Sequence, residues 1–203
     1  MTSSCRDAAF AALLRPGDLV LTSRKWWAVY PYRTYALSRG IQRASGSPWN
    51  HVMIVTEVPA SPRHCYAECI GVTEAHYPRV VARSLASAVD YRSNLMVLRH
   101  EGMTADKAQK GLAWLREHEN DEYDVTLIAK MVSALRERGQ RGLVELRHQV
   151  GDHFWICSEL ACGFIQSCDL YAYPGFDLNS RESVVPDPGA LARVPHYQRV
   201  YPV

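Results

Sequence analysis

The sequence predicts an α+β fold in which an antiparallel sheet packs against helices. Apolar runs of strand length fill much of residues 19 to 99, and helical periodicity governs residues 104 to 168. Turn signals rich in Gly, Pro and Ser separate the first set of runs. At 203 residues with 47% hydrophobic content, the chain can bury one substantial core and is expected to form a single domain, 1–203.

Residues 5 to 14 suit a short helix, and Pro16-Gly17-Asp18 turns into the apolar strand Leu19-Val20-Leu21. From Lys25 to Gly40 the chain carries Trp26, Trp27, Tyr30, Tyr32 and Tyr35, aromatics that either cover an edge of the core or line a groove. The loop Ser45-Gly46-Ser47-Pro48 delivers Trp49-Asn50-His51 to the strand pattern Val52 to Val58. After a turn at Pro59 to Arg63, Cys65 to Ile70 read as the next strand, so the pair forms an antiparallel hairpin. Shorter strands are expected near Arg79 to Arg83 and Leu95 to Arg99.

Thr104 caps a helix running to about His118, with Ala108, Leu112 and Leu115 on one face and Lys107, Lys110 and Glu117 in water. A second helix covers Asp124 to Leu135, followed by a charged break over residues 136 to 141 and renewed helix through Leu143 to Gln149. The third begins at Cys157 or Ser158, because Leu160, Ala161, Phe164, Ile165 and Cys168 form one stripe at helical spacing. The tail from Leu170 gives few regular signals and is expected to wrap the surface.

Lys and Arg total 23 against 21 for Asp and Glu, too even a balance for a nucleic-acid footprint, so no nucleic-acid partner is expected. No apolar stretch is long enough for a transmembrane segment or a secretory signal, which makes a cytoplasmic location the default expectation. Delivery by a phage or a secretion system is compatible with the same sequence. Six cysteines without an export signal are expected to be reduced thiols, and none of their spacings is that of a zinc knuckle, so neither a metal nor a cofactor is expected.

A thiol becomes a good nucleophile when it ionises, and helix N-terminal amides favour the thiolate while also offering an oxyanion site. Cys157 has that position in the sequence, although a cysteine on an apolar stripe also serves as ordinary core. Catalysis needs a base and a group to orient it. His51 follows a Gly/Ser/Pro loop and opens an apolar strand, whereas His64, His100, His118, His148 and His196 lie beside turns or charged runs. Glu68 interrupts the next predicted strand and Glu74 lies in the turn expected after it, so either could partner His51.

These residues resemble the permuted NlpC/P60 papain-like family of the YiiX type, related to lecithin retinol acyltransferase-like enzymes. Pro16-Gly17-Asp18-Leu19-Val20-Leu21 is similar to that family's opening Gly-Asp strand, and Ser47-Pro48-Trp49-Asn50-His51-Val52-Met53-Ile54-Val55 to its histidine motif, with Asn50 in place of the common Ser. Tyr66-Ala67-Glu68-Cys69-Ile70-Gly71-Val72 resembles the family's Glu-Ala-containing strand, and Tyr123-Asp124 its Tyr-Asp pair. Ile156-Cys157-Ser158-Glu159-Leu160 is close to the Cys-Ser-Glu-Leu nucleophile motif, and Val184-Val185-Pro186-Asp187-Pro188 is similar to the closing Ser-Pro segment, with Asp187 where Ser is common.

The resemblance implies a circularly permuted papain-like (NlpC/P60-like) fold, with histidine and third residue on the sheet and the cysteine helix arriving last. It implies Glu68, rather than Glu74, as the third catalytic group beside Cys157 and His51. Ser158 and Tyr123 are expected to form the oxyanion site or position substrate, and Trp26, Trp27 and Trp49 to line the substrate groove. The expected activity is a cysteine-dependent hydrolase, an amidase, peptidase or thioesterase, acting through an acyl-enzyme on a small-molecule, peptide or lipid-like amide or ester. A lipid acyltransferase and a non-catalytic binding module are the alternatives.

Overall fold

A strand covered on both faces must be apolar at every position, and the runs Leu19-Val20-Leu21 and Val52-Met53-Ile54-Val55 meet that condition. The computed structural model describes residues 10–24, 42, 46–59, 67–89, 93–150 and 153–201. In chain order, β1 is Leu19–Arg24, β2 His51–Glu57, β3 Gly71–His76 and β4 Arg79–Ser84. A short helix α1, Leu85–Ala88, leads to β5, Ser93–His100, and then to helix α2, Ala105–Glu117. Strand β6 is Glu122–Tyr123, and helices α3, Val125–Arg138, and α4, Gln140–Glu145, precede β7, Arg147–His148. Strand β8, Phe154–Trp155, enters helix α5, Cys157–Ser167, and β9, Ser183–Val184, α6, Pro188–Leu191, and β10, Tyr197–Tyr201, follow.

The main sheet runs β10-β5-β1-β2-β3-β4-β6-β8, antiparallel throughout except for the parallel pair β6 and β8. The protein is thus mixed α+β with a large, mostly antiparallel sheet. On one face Leu19, Leu21, Val52, Ile54 and Leu98 pack with Leu160, Ala161, Phe164 and Ile165 of α5. On the other, Val20, Met53, Val55, Val72 and Val97 pack with Ala11, Leu14, Ile70 and Leu85. Asp18, buried before β1, accepts from Arg99 Nε and a terminal guanidinium nitrogen of β5, each at 2.7 Å. This bidentate pair gives the Gly-Asp motif a structural role between neighbouring strands.

Several expected elements lie elsewhere. The partner strand of β2 is not Cys65 to Ile70: Ala67–Cys69 form a 3-10 turn and the strand begins at Gly71. The helix expected over Leu143 to Gln149 instead ends at Glu145, and Arg147–His148 pair with Ser183–Val184. The tail does more than wrap the surface, since β10 pairs with β5 at the sheet edge. Cys157, Cys162 and Cys168 are free, but Cys69, on an exposed turn, is disulfide-bonded, against the expectation of reduced thiols. The first residues of the helix expected over 5 to 14 also lie outside the described residues. Among the described residues, no helix is long and apolar enough to cross a membrane.

Helix α2 lies against α5 because small residues let the backbones approach. A Cβ on Gly111 would collide with Cys168 Sγ and come within 2.7 Å of the Phe164 ring, and one on Gly163 would come within 2.6 Å of the Trp114 ring. Each glycine therefore receives an aromatic from the opposite helix. Gly111→Ala is expected to lower stability by about 1–3 kcal/mol through overpacking. Urea unfolding checks this, and a variant as stable as the parent would contradict so close a helix contact.

Candidate active site

Helix α5 begins immediately after the edge strand β8, so its first turn lies at the end of the sheet. Cys157 is the first residue of the helix and is 5% exposed. The helix dipole and the amides of that turn point there. Glu159 reaches back to accept from the Ile156 amide at 3.5 Å, and the Ser158 hydroxyl donates to the Pro186 carbonyl at 2.6 Å. The Ser158 side chain is thus engaged in tethering the helix start to residues 185 to 190. Gly189 of that segment packs directly on Ser47 of the loop preceding β2, and Asp187 caps α6 by accepting from the Ala190 amide at 2.9 Å. One short stretch of tail therefore contacts both the cysteine helix and the loop that leads to His51.

His51 opens β2, with its side chain 22% exposed. The pairs Ile54↔Thr73 and Val55↔Val72 define the β2–β3 register, and continuing it sets His51 across from His76 and diagonal to Glu74. Diagonal neighbours are within reach of long side chains. Accordingly His51 Nε2 is bonded to Glu74 Oε2, and the His51 and His76 rings meet edge to face at 6.5 Å. The Cys157 sulfur lies near enough to His51 to favour its charged ring.

Glu74 is fully buried and is held from two sides. Arg83 Nε donates to Oε1 at 2.5 Å, opposite the His51 bond. The pairs Glu74↔Val81 and Val72↔Arg83 place Glu74 and Arg83 on one sheet face. Burial alone would raise the Glu74 carboxyl, but His51 and then Arg83 outweigh it and bring it down to about 2. Burial likewise works against a charged His51, yet Glu74 and Cys157 overcome it and raise the imidazole to about 10. His51 is thus held as an imidazolium between a carboxylate and a sulfur.

The expected third group is corrected by this geometry. Glu68 is exposed on the 3-10 turn before β3, whereas Glu74, two strand positions before His76, carries the carboxylate that binds His51. Beginning the strand at Gly71 moves Glu74 from a turn into the sheet. Tyr123 is half-buried beside the cysteine, and burial followed by the charge on Cys157 pushes its phenol upward, so it stays neutral. Asp124 caps α3, accepting from the Leu127 amide at 2.7 Å. Trp49 packs at the margin of the main core, while Trp26 and Trp27 lie outside the described residues. A cavity of about 480 Å³ between sheet and α2 is lined by Thr56, Thr73, Leu112 and Arg116, away from Cys157 and His51.

Arg83 and His76 were not singled out in the sequence. The period-two series Val72, Glu74, His76 places both acidic and imidazole groups on one face once the strand's start is known. Comparison of the chain with family models and with characterised proteins finds no match.

The shifts set a stability window. The raised His51 contributes fully below about 6.5 and loses its contribution as pH climbs toward about 10. The lowered Glu74 contributes above about 4.5 and loses its contribution as pH falls toward about 2. Both describe one shared interaction, so its stabilisation is greatest between those ordinary values. Glu74→Ala is expected to cost about 3 kcal/mol near pH 6 and to flatten the pH dependence, because it leaves two half-buried cations side by side without their anion. Glu68→Ala is expected to stay within about 0.5 kcal/mol. Denaturant unfolding across pH checks both, and equal losses would contradict the assignment to Glu74.

Proposed function

We propose that the protein is a cysteine-dependent hydrolase acting on an amide or ester through an acyl-enzyme on Cys157. The observation that carries this reading is the chain of contacts Cys157, His51, Glu74, with the sulfur at a helix N-terminus and the imidazole held by a buried carboxylate. A nucleophile, a base and an orienting group stand in the relation that nucleophilic catalysis requires.

In this mechanism the thiol proton resides on His51, and the sulfur attacks the substrate carbonyl carbon. The resulting oxyanion is received by the amides of Cys157 and Ser158 at the helix start, and neutral Tyr123 beside the sulfur positions the substrate. His51 then gives its proton to the leaving nitrogen or oxygen, and water, deprotonated by His51, releases the acyl group. Glu74 keeps the ring oriented and stabilises its charged form, while Arg83 fixes Glu74 from the other side. The order of these residues along the chain, with the cysteine last, is that of a permuted papain-like fold, and we read the sheet and helix arrangement in that sense.

A single-turnover labelling experiment tests the proposal. A small thiol-reactive acyl probe is expected to label the parent and Cys162→Ala at equal rates and to leave Cys157→Ala unlabelled. Cys162 is wholly buried, and burial raises its thiol well above the ordinary range, so it should stay inert. Equal labelling of the two variants would contradict the assignment of the nucleophile.

A further inference from the structure

A second cluster of ligating side chains stands beside the edge strand β8 and its neighbour β6, outside the triad. Asp121 accepts from His118 Nδ1 at 2.8 Å, from His153 Nδ1 at 3.1 Å and from the indole of Trp155 at 2.9 Å. The ligating atoms of His118, Asp121 and His153 all lie within 4.8 Å of one another. We propose that His118, Asp121 and His153 form a binding site for one first-row divalent transition-metal ion.

The donor set is two imidazoles and one carboxylate, a combination suited to Co²⁺, Ni²⁺, Zn²⁺ or Fe²⁺ and ill suited to Mg²⁺ or Ca²⁺. The spacing fits as well. With metal–ligand bonds of about 2.1 Å, nitrogen–oxygen separations near 3 Å subtend about 90° at a common ion. His118 Nδ1 is 2.8 Å from Oδ2 and His153 Nδ1 3.1 Å from Oδ1, so the carboxylate offers one oxygen to each imidazole, an arrangement that suits an octahedral or five-coordinate centre better than a tetrahedral one. The remaining positions would open to solvent on the side of His153, whose side chain is 79% exposed.

The surroundings hold the ligands in place. Trp155, fully buried, donates to the carboxylate of Asp121, the kind of outer hydrogen bond that orients a metal ligand. Trp114 lies against the His118 ring at 4.3 Å between centroids, and Trp155 meets it edge to face at 5.1 Å. Asn120 and His153 adopt the left-handed backbone conformation, with φ of 76° and 66°, and His153 reaches Asp121 from that conformation. Non-glycine residues adopt it rarely, so the surrounding structure must hold it. The site also bears on the proposed nucleophile, because β8 leads directly from His153 into α5 at Cys157. An ion there would clamp the β6–β8 pair that positions the start of that helix.

Titration of the full chain with Co²⁺, followed by its visible absorption band, and with Ni²⁺ by calorimetry tests the inference. One ion per chain is expected. His153→Ala, a surface change that should leave folding intact, and Asp121→Asn are expected to weaken binding at least about tenfold. Cys157→Ala should bind as the parent does, separating this site from capture of metal by the triad thiol. No saturable binding up to millimolar Co²⁺ or Ni²⁺ would overturn the proposal, as would undiminished binding by His153→Ala or loss of binding in Cys157→Ala.

Discussion

The carboxylate of Glu74, buried in β3 with no exposed side-chain surface, is the constraint on which the candidate site depends. A buried charge is tolerated only when it is paired and hydrogen-bonded. Here each oxygen meets a cation, His51 on one side and Arg83 on the other. The requirement works in both directions. Glu74 needs His51 charged, and Cys157 beside the ring favours that same charged form.

The rest of the architecture brings that pair to the helix. Strand β2 is buried on both faces, and a slip of one residue would exchange the side chains fitted to its two cores. The position of His51 at its start is fixed by that register. Helix α5 is fixed independently by its stripe of buried residues and by the interlock of Gly111 and Gly163 with facing aromatics. Residues 185 to 190 then connect the two, through Pro186 to Ser158 and through Gly189 to Ser47. Geometry that chemistry would need is thus maintained by ordinary packing.

Much of this was legible in the sequence where local signals were strong. The Cys157 stripe, the Thr104 cap and the apolar run after His51 each specify an element without outside information, and each element forms where its signal lies. The third residue was not legible by the same means. Choosing between Glu68 and Glu74 requires the starting point of β3, and Cys65 to Ile70 has the composition of a strand while forming a 3-10 turn at Ala67–Cys69. Arg83 depends on that same register. The pairing of β10 with β5 and the meeting of His118, Asp121 and His153 are long-range events, set by sheet order rather than by any local pattern.

Glu74 and Cys157 together hold His51 as an imidazolium well above the ordinary range of histidine. Following the His51 ring nitrogens by NMR through a pH titration measures this directly. The ring is expected to stay protonated through neutral pH and to lose its proton at about 10. Deprotonation near 6.5, as for an isolated histidine, would contradict it.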